Sequence, residues 1–204
     1  MDIHNIYTIG RMCDADFLLK DLNLRLYSSP FSWTTIDLKT ALYFIENKFE
    51  GFTDTVKEDT YIHRDFTKSN GEPYNNNDER ILHYSHHDMS DKRVISAMIR
   101  RGKRLLHDIY SPDTLLLHYD IAYRPIEYYT ELLLPFTSKY GCNVLVISQP
   151  ENNTSPIEII FKSERVSIIS VGLNDKKNIH RVLKYLYSFQ ITPKPTIITE
   201  TTIN

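Results

Sequence analysis

The chain has 204 residues, 41% of them hydrophobic and 25% charged, with a formal net charge of −2. That size suits one domain with a sizeable core, because single cores stop growing near ~250–300 residues, and a charge so near neutral argues against nucleic acid or a polybasic membrane surface as the main partner. The only cysteines, Cys13 and Cys142, are too few and too far apart for a disulfide-stapled secreted domain, which favours a reducing, cytoplasmic compartment.

The opening MDIHNIYTIGRMCDAD lacks a basic region followed by an apolar run, so no signal peptide is expected. Ile3 to Ile9 is apolar and rich in β-branched and aromatic residues, and predicts a buried strand ending in a turn at Gly10. A helix is expected from Asp14 to about Leu22, with Phe17, Leu18 and Leu22 inward and Asp14 and Asp16 at the positive end of its dipole. Residues 28–33 form a loop carrying the only tryptophan, Trp33. Asp37 can cap a second helix to about Phe49, stopped by Gly51.

Residues 53–80 hold many turn formers and few apolar anchors, and read as a mobile insertion or lid within the domain. An arginine-rich helix follows from Asp91 to about Ile109, with Val94, Ile95, Met98, Leu105 and Leu106 on its apolar side. Leu115–Tyr119 reads as a strand, Pro125 to Lys139 as a helix stopped by Gly141, and Asn143–Ser148 as another buried strand. Further strands are expected over Ile157–Phe161 and Arg165–Val171, then a last helix over Lys176–Phe189 and an extended or disordered tail over 192–204. The alternation predicts a single α/β domain over residues 1–191. Its sheet is mixed and partly parallel, with helices on both faces. No run of about 18 apolar residues is present to span a membrane.

A cysteine at a strand–glycine–helix turn has a physical logic. The first amides of a helix lack intrahelical partners and can hold a thiolate or an oxyanion, and the thiolate is the nucleophile. Such a place lowers a thiol pKa, so Cys13 is expected to titrate below the free value of about 8.5. Asp14 and Asp16 work against this, and a histidine would have to offset them. His86-His87-Asp88 is the densest polar cluster beside a helix start, with His63 and His118 as rivals. His118 falls in mid-strand, where a hydrogen-bonded core histidine is the simpler reading. His83, His86, His87 and Asp88 match no common zinc spacing, and no metal is expected. Arg100, Arg101, Lys103 and Arg104 can bind a phosphate group, or merely form a solvated face. Cys142, at the start of a strand, reads as structural.

The string IYTIGRMCDADFLLKDLNLRLYSSPFSW resembles the opening of a family of papain-like cysteine peptidases. That opening runs strand, Ser-Leu-Gly-x-x-Cys, helix and a Pro-Phe-Asp-Trp loop. Phe-Glu-x-Phe follows, matched here by Phe49-Glu50-Gly51-Phe52, then a His-Asp motif matched by His87-Asp88. An arginine-paired helix comes next, matched by Arg100-Arg101 with Arg104, and a strand like Leu115–Tyr119 closes the signature. The resemblance implies a papain-like fold, Cys13 as nucleophile and His87 as base. Asp88, Ser32, Trp33, Arg100, Arg101 and Arg104 would orient the base or bind substrate. It departs at Ser32, where the family's usual residue is Asp, and at Arg11-Met12, which replace smaller residues.

Three functions fit: a cysteine-dependent hydrolase acting on a peptide, amide or acyl substrate without a cofactor; a thiol acyltransferase, like a capsule-polysaccharide acetyltransferase family, with its arginines on the phosphates of coenzyme A; and a non-catalytic binding protein on the same scaffold.

Overall fold

Three of the most apolar runs in the chain meet as the middle of one sheet. The computed structural model describes residues 2–10, 13–53, 82–84, 87–120, 124–149, 157–172 and 187–189. In chain order these form β1 (Asp2–Ile3), β2 (Asn5–Thr8), α1 (Asp14–Asp21), β3 (Thr35–Ile36), α2 (Leu38–Glu46), β4 (Leu82–His83), α3 (Lys92–Asp108), β5 (Thr114–Asp120), α4 (Ile126–Tyr140), β6 (Asn143–Ser148), β7 (Glu158–Lys162), β8 (Val166–Ser170) and β9 (Ser188–Phe189). The main sheet has the order β2-β5-β6-β8-β7. The first four strands are parallel and β7 closes one edge antiparallel. The fold is the α/β class expected, a mixed and mostly parallel sheet between helices, consistent with a papain-like fold.

Every residue of β5 and β6 is buried, as strands covered on both faces require. One face packs Tyr7, Ile9, Leu116, Val144 and Val146 against Ile45 of α2, Leu105 of α3 and Leu133 of α4. The other packs Ile6, Leu117, Leu145 and Ile147 against Ala15 and Leu19 of α1. Asp37 caps α2 by accepting from the Thr40 amide at 2.9 Å, and Asp91 caps α3 by accepting from the Arg93 amide at 2.8 Å. Gly141, at φ +85°, closes α4 in the left-handed conformation that favours glycine.

Three differences from expectation bear on the site. α1 seats Ala15, Asp16 and Leu19 rather than Phe17, which is 49% exposed. The helix therefore sits rotated, and the ring of Phe17 is left beside the N-terminal turn. Thr35 and Ile36 pair antiparallel with His83 and Leu82, a contact too short to carry a periodic signal, and this ties the 82–88 segment to the loop before α2. Ser188–Phe189 is a strand parallel to β1, so any helix from Lys176 stops before Ser188. Residues 54–80 of the expected insertion, most of that helix and the tail lie outside the described residues.

Gly10 sits where the loop before α2 presses on the end of β2. Its φ is +103°, and a Cβ there would collide with the Ile36 carbonyl oxygen. The glycine thus allows residues 31–36 to close over the C-terminal end of the sheet, the side on which ligands usually enter parallel α/β folds.

Candidate active site

Cys13 is the N-cap residue of α1. Its carbonyl accepts the first helical bond from Phe17 N–H at 2.9 Å, and its side chain caps nothing. The thiol is partly exposed. Burial, then Asp16, then Asp14 push its pKa up, which corrects the expectation of a depressed value. The amide ends of the helix favour the thiolate, but two carboxylates and partial desolvation outweigh them.

Asp16, expected from the sequence to face the helix dipole and to oppose ionisation of the thiol, is also the hub of the site. It is 2% exposed. Its Oδ1 accepts from Ser32 Oγ at 2.7 Å, and its Oδ2 from Thr8 Oγ1 and from the Trp33 amide, each at 3.3 Å. Arg25 Nε lies 3.6 Å from Oδ1. A buried carboxylate needs such partners, because unpaired burial of a charge is costly. Ser32 is fully buried, and its hydroxyl also accepts from the Ser29 amide at 2.8 Å. Where the family resemblance leads one to look for an aspartate, the chain carries Ser32, whose hydroxyl donates to a carboxylate supplied by α1. A signal for this was present: an acid three residues after the cysteine, together with a missing acid at position 32.

Trp33 has φ +64°, rare for a bulky residue and a form of strain that clusters at functional sites. That backbone turn brings its N–H onto Asp16. Its ring meets Phe17 edge to face, with centroids 5.0 Å apart, and the Arg25 guanidinium lies 5.3 Å from the centre of the Trp33 ring.

His87 approaches the same loop from the other side. Its Nε2 is 2.9 Å from the Ser32 carbonyl oxygen. A carbonyl can only accept, so Nε2 carries the proton and the lone pair of the neutral ring is on Nδ1. Among the described residues no hydrogen bond joins Cys13 directly to His87. The two are linked through Ser32, whose carbonyl meets the imidazole and whose hydroxyl meets Asp16 in the first turn of the cysteine's own helix.

Asp88 is exposed and its carboxylate accepts from the Ser90 amide and hydroxyl, at 2.9 and 2.6 Å, which holds its pKa below the usual carboxylate range. His118 is 1% exposed, with Nδ1 3.3 Å from the Ile9 carbonyl oxygen and Nε2 3.8 Å from Asp120 Oδ2. His63 and His86 lie outside the described residues.

Of the arginines, Arg100 is exposed on α3. Arg104 donates to the Ser28 carbonyl oxygen at 2.8 Å and lies over the Tyr27 ring at 4.2 Å. Arg25, which the sequence reading did not single out, donates to Ser28 Oγ at 2.8 Å. Arg101 is half-buried, and among the described residues its one hydrogen-bond partner is the weak acceptor Met98 Sδ at 3.8 Å.

Among the described residues no helix is long and apolar enough to cross a membrane. Residues 4–139 match the model of the family described as Putative papain-like cysteine peptidase (DUF1796). That span runs from β2 through most of α4 and contains Cys13, Asp16, Ser32, His87 and the arginines of α3. No curated protein and no solved structure matches the chain.

Proposed function

The chain belongs to the family described as Putative papain-like cysteine peptidase, and on that premise we propose that it is a cysteine-dependent hydrolase with Cys13 as nucleophile and His87 as base. The observation that carries this reading is the double role of Ser32, which holds the His87 ring by its carbonyl and the first turn of α1 by its hydroxyl. Sγ of Cys13 attacks a substrate carbonyl, and the thiol proton passes to His87 Nδ1. The oxyanion gathers on the unpartnered amides of the first turn of α1. His87 returns the proton to the leaving group, and water then hydrolyses the thioester. The Ser32 carbonyl fixes the tautomer and steadies the imidazolium, the orienting work a carboxylate does in other triads. Because burial and two carboxylates raise the thiol pKa, the proton moves as the S–C bond forms rather than beforehand. Catalysis accordingly favours mildly alkaline pH.

An acyltransferase shares every step up to the thioester, and the arginines about Ser28 favour keeping it in the test. With p-nitrophenyl acetate as acyl donor, intact-mass analysis is expected to find one acetyl group on Cys13 that turns over. Release as acetate marks a hydrolase; transfer to an added amine or alcohol marks a transferase. Acetylation untouched by Cys13→Ser would leave the scaffold without this chemistry.

A further inference from the structure

Two guanidinium groups meet the loop beside Trp33, and a third neighbours them on α3. Ser28 accepts from Arg25 with its hydroxyl and from Arg104 with its carbonyl, each at 2.8 Å. For Arg101, one turn before Arg104 on α3, burial first and then the repulsion of Arg104, Arg100 and Arg25 disfavour the charged form, against the attraction of Asp16. Asp16 ion-pairs with Arg25. Asp108, one turn beyond Arg104, is hydrogen-bonded to Tyr7 and His107 instead. Among the described residues Arg101 has no carboxylate partner, although it is half-buried. Holding like charges together with so little compensation is unfavourable unless a ligand supplies the missing negative charge.

A second observation gives that ligand a direction. Phe17, one turn after Cys13 on the same helix face, is 49% exposed. Its ring meets Trp33, and Trp33 meets Arg25. The Phe17–Trp33 pair thus leads from the cysteine's helix to Arg25.

We propose that Arg101, with Arg25 and Arg104, forms a subsite for an anionic group, carboxylate or phosphate, carried by the acyl substrate, whose apolar part lies along Phe17 and Trp33. The subsite rests on Cys13 being the nucleophile. It makes the protein selective for acyl substrates that carry a negative charge beyond the carbonyl attacked. Arginine suits the task because its fork matches both carboxylate and phosphate oxygens.

The test uses an iodoacetyl dipeptide with a free C-terminal carboxylate and the same reagent as its C-terminal amide, which differ only in the charge. Wild-type Cys13 is expected to react about tenfold faster with the acid, the size of one charge-assisted contact. Arg101→Gln and Arg25→Gln should bring the ratio toward one, Arg101→Lys should keep part of it, and Arg93→Gln should leave it unchanged, since Arg93 is paired with Asp91 at the far end of α3. Inorganic phosphate and acetate should each slow the acid reagent alone, and the stronger competitor identifies the source as a phosphoryl group or a carboxylate. Equal rates for the two reagents, or a preference that survives the loss of Arg101 and Arg25 together, overturn the subsite while leaving Cys13 as nucleophile. Failure of both reagents to modify Cys13 overturns the nucleophile, and the subsite with it.

Discussion

The two cysteines sit at opposite ends of the same sheet, and the contrast between them explains why one end is chemical and the other is not. Cys142 precedes β6 at the N-terminal end of the parallel strands, is fully buried, and has its thiol pushed up to about 12, chiefly by burial. Cys13 follows β2 at the C-terminal end, is partly exposed, and is raised first by a smaller desolvation and then by Asp16 and Asp14. Around Cys142 the sheet has closed with apolar contacts. Around Cys13 it has gathered Thr8, Asp16, Ser29, Ser32 and a histidine, all engaged in hydrogen bonds. A raised pKa therefore does not by itself distinguish inert from reactive. The distinction lies in what surrounds the thiol, and in whether a proton acceptor and a reagent can reach it.

The largest expected effect follows from that difference. At pH 8 a thiol of pKa about 12 is only about 10⁻⁴ ionised, and Cys142 is also sealed from reagent. Native protein should therefore alkylate at Cys13 at least ~1,000-fold faster than at Cys142, as read by peptide mapping against time. Comparable rates would erase the contrast.

The next effect concerns the polar hub. Asp16→Ala removes the acceptor for Ser32, Thr8 and the Trp33 amide and the partner of Arg25. Denaturant unfolding should show a loss of about 2–4 kcal/mol. The same variant takes away a charge that raises the thiol, so Cys13 should alkylate faster at neutral pH even as the fold weakens. A stability loss with slower alkylation would mean that Asp16 positions the thiol rather than opposes its ionisation.

At the closed end, the consequence is an alkaline limit on stability. A thiol whose folded pKa is raised above its unfolded value keeps its proton in the native state while the unfolded chain ionises. The stability it contributes is complete below about pH 8.5 and is lost as pH rises toward the folded value. By pH 10 the loss due to Cys142 should be about 2 kcal/mol. Unfolding free energies between pH 8 and 10 should fall less steeply in Cys142→Ala than in wild type, and parallel slopes would contradict the assignment of burial as the cause.

The strands and helices with strong periodicity were legible in the sequence. β6 runs from Asn143 to Ser148 as expected, and Asp37, Asp91 and Gly141 mark helix ends as their chemistry predicts. The site was legible only in outline. A cysteine after a glycine turn announces itself, but Asp16 is an ordinary acid in a first helical turn until Ser32 folds onto it from sixteen residues away. The β3–β4 pair that ties the His87 segment to the loop before α2 is two residues long and carries no period to read. Arg25 gains meaning only once the fold brings it to Asp16, Ser28 and the ring of Trp33, a residue in a left-handed turn that no residue-type preference would assign to tryptophan. Phe17 was misassigned to the core because one helix turn offers several apolar faces, and the buried Asp16 decides which one turns inward.

The central claim is that His87 serves the thiol of Cys13, and the most direct test is the pH profile of iodoacetamide alkylation at Cys13 in wild type and His87→Ala. Wild type should give a rate that climbs with pH through an apparent pKa above the free-thiol value of about 8.5. Near neutral pH, where a base must accept the proton, His87→Ala should be about tenfold slower, and the two curves should converge once the thiol is ionised by pH alone. Superimposable profiles at all pH values would separate His87 from Cys13 and contradict the account.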